Sequence, residues 1–188
     1  MRTACIAIAL AILLALGAGR KYASVHDELV AQRRDMSDAW AEVDAVLQKH
    51  AGAVPGLIDG VKDAVRDRPQ ILSDIEGACT ALGNGRSPEE RIEANARLNA
   101  AISKLLLWSD SNPHPKFDQG FAHLEAELSD AESRIALPRR KYNEALEHYN
   151  AQIQQFPENV VASIAGFRRN DAYFRTELGD RAPGKPPI

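Results

Sequence analysis

The sequence predicts an all-α fold, an elongated antiparallel helical bundle of about four long, coiled-coil-like helices with an N-terminal transmembrane helix. Three observations lead there. Ala, Leu and Glu are abundant and aromatics make up only 6% of the chain, a balance that favours helix. No segment carries the alternating β-branched pattern of a strand. Between Phe121 and Phe156 one apolar position recurs every seven residues without a miss. The expected organisation is a membrane anchor or uncleaved signal-like segment over 1–21, a helical bundle domain over 22–178 and a disordered tail over 179–188.

The first element is the apolar run "ACIAIALAILLALGAG" at residues 4–19. It is close to the lower limit of ~17 residues for a spanning helix. With Thr3 and Tyr22 as interfacial flanks it reads as an anchor built from Ile6, Ile8, Leu10, Ile12, Leu13, Leu14 and Leu16. A cleaved secretory signal is the alternative; small residues stand at Ala15, Gly17, Ala18 and Gly19, without a clean A-x-A. No Cys follows the run, which argues against a lipoprotein anchor. Arg20, Lys21, Arg33 and Arg34 after the run outnumber Arg2 before it, which favours a cytoplasmic body over a periplasmic one.

A first body helix is expected over about 22–50, where Met36, Trp40, Val43 and Leu47 form one stripe. "HAGAVPG" (50–56) is expected to end or bend it at Pro55. A second helical region carries Leu57, Ile58, Val61 and Val65, is interrupted by "RDRP" (66–69), and continues through Ile71, Leu72 and Ile75. At "GNGRSPEE" (83–90) a third helix starts, with Ser87 as cap, Pro88 in the first turn, and Glu89 and Glu90 against the dipole. It runs to about Trp108, and "SDSNPHP" (109–115) breaks the chain.

The fourth helix carries the packing seam, Phe121, Leu128, Ile135, Tyr142, Tyr149 and Phe156, with Trp40 of the first helix counted among the seam residues. Leu124 and Ala131 lie at +3, Leu146 and Ile153 at +4, so the seam changes register near Pro138. A proline there predicts a kinked but continuous helix. Asn143 and Asn150 flank the seam, where an amide can bridge two helices. A short helix follows Pro157, with Val160, Val161, Ile164 and Phe167 expected on one face and Gly166 at its end.

Chemistry is sparse. Without residues 1–20, 21 basic and 26 acidic side chains remain, a net of −5, which argues against nucleic acid as a partner. The five histidines, at 26, 50, 114, 123 and 148, show no ligand-like spacing, and Cys5 and Cys79 read as small apolar residues. No G-x-S-x-G or phosphate-binding loop is present. The expectation is no enzyme, no metal and no cofactor. The pairs Arg33-Arg34, Arg139-Arg140 and Arg168-Arg169 read as solvated faces balanced by Asp35, Glu144 and Asp171, with anionic headgroups as the functional alternative.

The segments "DAWAEVDAVL" (38–47), "VPGLI" (54–58), "LSDAESRIALPRRKYNEALEHYNAQIQQFPENVVA" (128–162) and "GFRRNDAYF" (166–174) resemble the LemA family, most specifically over 134–162. The resemblance implies an all-α antiparallel bundle with one membrane span, an external amino terminus and a cytoplasmic body, and it brings no catalytic residues. Gly52 and Gly56 stand where the family usually has Asp and Asn, and Pro138 replaces a usual helix former. The function expected is a single-pass, membrane-anchored helical scaffold or adaptor of the bacterial envelope. Its partners would be the membrane, unidentified proteins and, as one option, further copies of itself. A lipid-binding or membrane-shaping protein, using Arg168-Arg169 and the helix near 158–167, is the second reading.

Overall fold

A computed structural model describes residues 2–112 and 117–174, with the side chains of 2–9 and 11 left aside. Five helices form: α1 (Arg2–Val61), α2 (Pro69–Asn84), α3 (Pro88–Ser111), α4 (Asp118–Gln152) and α5 (Glu158–Ala165). Among the described residues there is no strand. The expected tail at 179–188 and His114 lie outside the described residues.

The first helix is longer than its sequence suggests. α1 passes through Pro55 and ends only at Val61, so Leu57 and Ile58 belong to it and not to a second helical region. Pro55 removes one backbone donor and crowds the preceding turn. Burial of Val54, Ile58 and Val61 on the same stretch, all at 6% exposure or less, offsets that cost. The chain then turns through Ala64 and Arg68, whose N–H groups donate to the carbonyls of Val61 and Val65. α2 starts with Pro69 in its first turn, where a missing N–H costs nothing.

α3 begins as its sequence dictates. The Ser87 hydroxyl accepts from the Glu90 N–H at 3.2 Å, and the Glu90 carboxylate accepts from the Arg86 N–H at 2.8 Å. α4 is continuous through Pro138. α5 ends at Gly166, whose φ of 77° is the left-handed conformation that glycine adopts without a Cβ penalty. The Phe167 N–H closes that end on the Ala162 carbonyl at 2.9 Å.

The chain divides into two compact units, one from 1–39 with 144–171 and the other from 40–143 with 172–188. In the larger unit, α1 and α4 run antiparallel, because Glu42 pairs with Lys141, His50 lies beside Glu127, and Gly60 and Val61 meet Gly120. α2 and α3 form a helical hairpin, with Lys104 near Asp74. Its core takes Val43 and Leu47 from α1, Ile75 and Leu82 from α2, Leu98 and Ile102 from α3, and Leu124 and Leu128 from α4. In the smaller unit, Val25, Leu29, Tyr149, Ile153, Val161 and Ala162 form one cluster, with Met36 and Phe167 against it.

Two faces differ from expectation. Phe156 is 83% exposed, so the buried seam stops at Ile153. α4 ends at Gln152 and tightens into turns in which Gln154 and Gln155 donate to Ala151 and Gln152, so residue 156 no longer shares the helical repeat. On α5 the buried residues are Val161 and Ala162, while Val160 and Ile164 point outward. Two adjacent positions, rather than a pair four apart, dock this short helix.

Candidate functional site

The Tyr-Asn pairs of α4 organise the chain that follows α5. In the larger unit, Asn143 Nδ2 donates to the Phe174 carbonyl at 3.0 Å, and the Phe174 N–H donates to Asn143 Oδ1 at 3.1 Å. One side-chain amide thus satisfies both backbone groups of one residue, a fit that only Asn or Gln offers. Beside it Trp40, Tyr142 and Phe174 form an aromatic cluster, with centroids 5.2 Å apart for Trp40–Tyr142 and 6.3 Å for Tyr142–Phe174. The second contact is edge to face at 90°, the arrangement ring quadrupoles favour. Burial, with a smaller contribution from Tyr173, pushes the Tyr142 phenol up to about 12.

In the smaller unit, Asn150 repeats the arrangement on Asn170. Its Nδ2 donates to the Asn170 carbonyl at 2.5 Å and its Oδ1 accepts from the Asn170 N–H at 2.9 Å. Tyr149 Oη donates to the Arg168 carbonyl at 2.9 Å. Burial raises the Tyr149 phenol, while Arg33 and the bond to Arg168 oppose that rise. Asn143 and Asn150, expected as bridges between helices, each hold a residue of the non-helical segment after Gly166. The spacing of the Tyr-Asn pairs was legible, but the partners lie 20 and 31 residues downstream, where no local pattern announces them.

The remaining seam residues Phe121, Leu128 and Ile135 are buried, and Trp40 is half-buried. Of the anchor residues, Leu10, Ile12, Leu13, Leu14 and Leu16 are exposed, between 54% and 72%. Ile6 and Ile8 lie within α1, but their side chains are outside the described residues. Counting the described residues, no helix is long and apolar enough to cross a membrane.

Polar groups inside the larger unit form a second feature. His50 is 2% exposed, and neither ring nitrogen makes a hydrogen bond to the described residues; Nδ1 stands 3.6 Å from Glu127 Oε1. His50, Asn95, Asn99 and Glu132 border a void of about 10 Å³, the size of one water. Nearby, Arg91 Nε approaches Asp44 Oδ1 at 2.7 Å, an ion pair without a well-aligned N–H···O bond. Among the described residues no three His, Cys, Asp or Glu gather as metal ligands. Cys79 is free and half-buried, and its thiol is pushed up by burial and then by Glu76. Of the basic pairs, Arg169 meets its acid, Asp171, at 2.5 Å.

Comparison with known proteins gives a coherent result. The LemA family model matches residues 39–185. The chain is 27% identical to magnetosome protein MamQ of Magnetospirillum gryphiswaldense over 173 residues, covering 86% of this chain and 63% of that protein. It is 29% identical to magnetosome proteins MamQ 1 and MamQ 2 of Paramagnetospirillum magneticum over 111 residues, 59% of this chain and 37% of each of them. The chain thus spans less than two thirds of the length of these relatives.

Proposed function

Because the chain belongs to the LemA family, we propose that it is a membrane-anchored helical scaffold of the bacterial envelope, presenting its bundle to protein partners. The observation that carries this reading is α1. One uninterrupted helix holds both the apolar run, with Leu13 and Leu14 about 70% exposed, and the core residues Val25 through Val61. Five exposed aliphatic side chains in the span 10–16 lie open among the described residues, and a bilayer is the solvent that suits them. The excess of cations following the run favours a cytoplasmic body over a periplasmic one. The magnetosome roles named for its relatives belong to those proteins, and envelope scaffolding is the broader class to which we assign this chain.

Crosslinking in intact cells, followed by capture through a carboxy-terminal tag from washed membranes, tests the scaffold role. Reproducible recovery of the same protein partners is the expected result. Recovery of lipid alone, or of the chain in the soluble fraction, overturns it. Protease access to the tag in intact and opened cells tests the side of the membrane.

A further inference from the structure

α5 is apolar on two sides. Val161 and Ala162 enter the core, while Val160 and Ile164, one turn apart, stand 48% and 70% exposed. Phe156, two residues before the helix, is 83% exposed. Asn159 and Ser163 are exposed as well, so Val160 and Ile164 form an apolar ridge beside polar neighbours, of the kind that meets protein or lipid.

Its place in the smaller unit says which. The inner face of α5 sits on Val25 and Leu29 of α1. Phe167, just after α5, meets the ring of His26 edge-on at 5.7 Å, and His26 stacks on Tyr22 at 6.2 Å. The apolar run of α1 ends at Gly19, only about 9 Å of helix before Val25 at ~1.5 Å per residue. The run itself spans about 24 Å, against a hydrocarbon core of about 30 Å. A run that short is met by local thinning of the bilayer, with Arg20 and Lys21 reaching to the headgroups. Tyr22 then falls at the interface, where tyrosine is favoured, and α5 lies at headgroup level beside it.

We infer that the outward ridge of α5, Val160 and Ile164, rests on the same bilayer that takes the apolar run of α1, inserted at the boundary between headgroups and acyl chains. The inference rests on the membrane reading above. Helices of this kind bury their apolar face about 5–10 Å into that boundary. Arg20 and Lys21 follow the apolar run and Arg168 and Arg169 follow α5, but Glu158 opens α5 and Asp171 pairs with Arg169, so apolar contact rather than net charge drives the seating. α5 is thereby a second point of attachment, which fixes the rotation of α1 about its own axis.

The test uses the full chain in vesicles of phosphatidylcholine and phosphatidylglycerol. In a Cys5→Ala, Cys79→Ala background, Leu13→Cys and Ile164→Cys each carry an environment-sensitive fluorophore. Each is read against a quencher attached to lipid and against one dissolved in water. The expected result is blue-shifted emission at both positions, lost to the lipid-attached quencher and spared by the soluble one. A label at 13 in lipid with a label at 164 open to the soluble quencher overturns the inference and leaves the membrane reading standing. A label at 164 shielded from both quenchers means that protein, such as a second copy, covers the ridge, and this too overturns it. A label at 13 open to water removes the membrane reading and the inference together.

Discussion

Asn150 holds Asn170 by both of its backbone polar groups, donating to the carbonyl and accepting from the N–H. Asn143 does the same to Phe174. These amides are the side-chain equivalent of a neighbouring strand, supplied by a helix.

Truncating either amide removes two hydrogen bonds from a segment with no helical pairing of its own. Asn150→Ala and Asn143→Ala are each expected to cost about 1–3 kcal/mol. Hydrogen exchange should show lost protection at the Asn170 amide in the first variant and at the Phe174 amide in the second. Unchanged protection would mean that side-chain packing alone holds the segment.

The two seam tyrosines should respond differently to loss of their hydroxyls. Tyr149 Oη bonds to the Arg168 carbonyl, so Tyr149→Phe is expected to cost about 0.5–1.5 kcal/mol. Tyr142 Oη is buried without a hydrogen bond to the described residues, so Tyr142→Phe should lie within about 0.5 kcal/mol of the parent. Denaturant titrations of the two variants compare them directly.

Alkaline pH offers an independent check on Tyr142. Its phenol stands at about 12 in the folded chain against an ordinary value of 10. Between those values the unfolded chain gives up its proton while the folded chain keeps it. Stability should therefore fall as pH rises through that window. Tyr142→Phe should flatten this part of the profile, leaving the fall due to Tyr149, whose phenol is also raised.

Two glycines within helices should respond with opposite signs. A Cβ at Gly120 would stand 2.7 Å from the stiff, fully buried Val61 Cγ1 and 3.3 Å from the Gly60 carbonyl, so Gly120→Ala should cost about 1–3 kcal/mol. At Gly77, inside α2, nothing lies within 4 Å, and Gly77→Ala should gain up to about 1 kcal/mol from helix propensity. Thermal melts of both variants test the pair.

Pro138→Ala should restore the backbone donor missing from the interior of α4. The expected gain is up to about 3 kcal/mol, read as a raised midpoint in urea.

How far the sequence speaks depends on the range of the forces involved. Ser87, Pro88 and Glu90 act on their own turn, and the start of α3 was legible to the residue. The seam from Phe121 to Tyr149 was legible because burial imposes a period. Pro55 misled because the local cost of a proline was visible while the distant packing of Val54 and Ile58 was not. α5 misled because eight residues hold two apolar faces, and only the docked structure distinguishes them. For Asn143 and Asn150 the periodicity that revealed their helix also concealed their work, since a flanking amide and a backbone-holding amide look alike in a heptad.

At Arg168 the hold on the segment after Gly166 is on the main chain, through its carbonyl, and at Asn170 both backbone groups are held as well. The side chains of Arg168 and Arg169 project away, exposed. Substitution at 168 and 169 therefore leaves the tether intact while rewriting what the surface displays. In effect the protein carries a replaceable label on a fixed mount, open to evolutionary or engineered change without refitting the helices behind it.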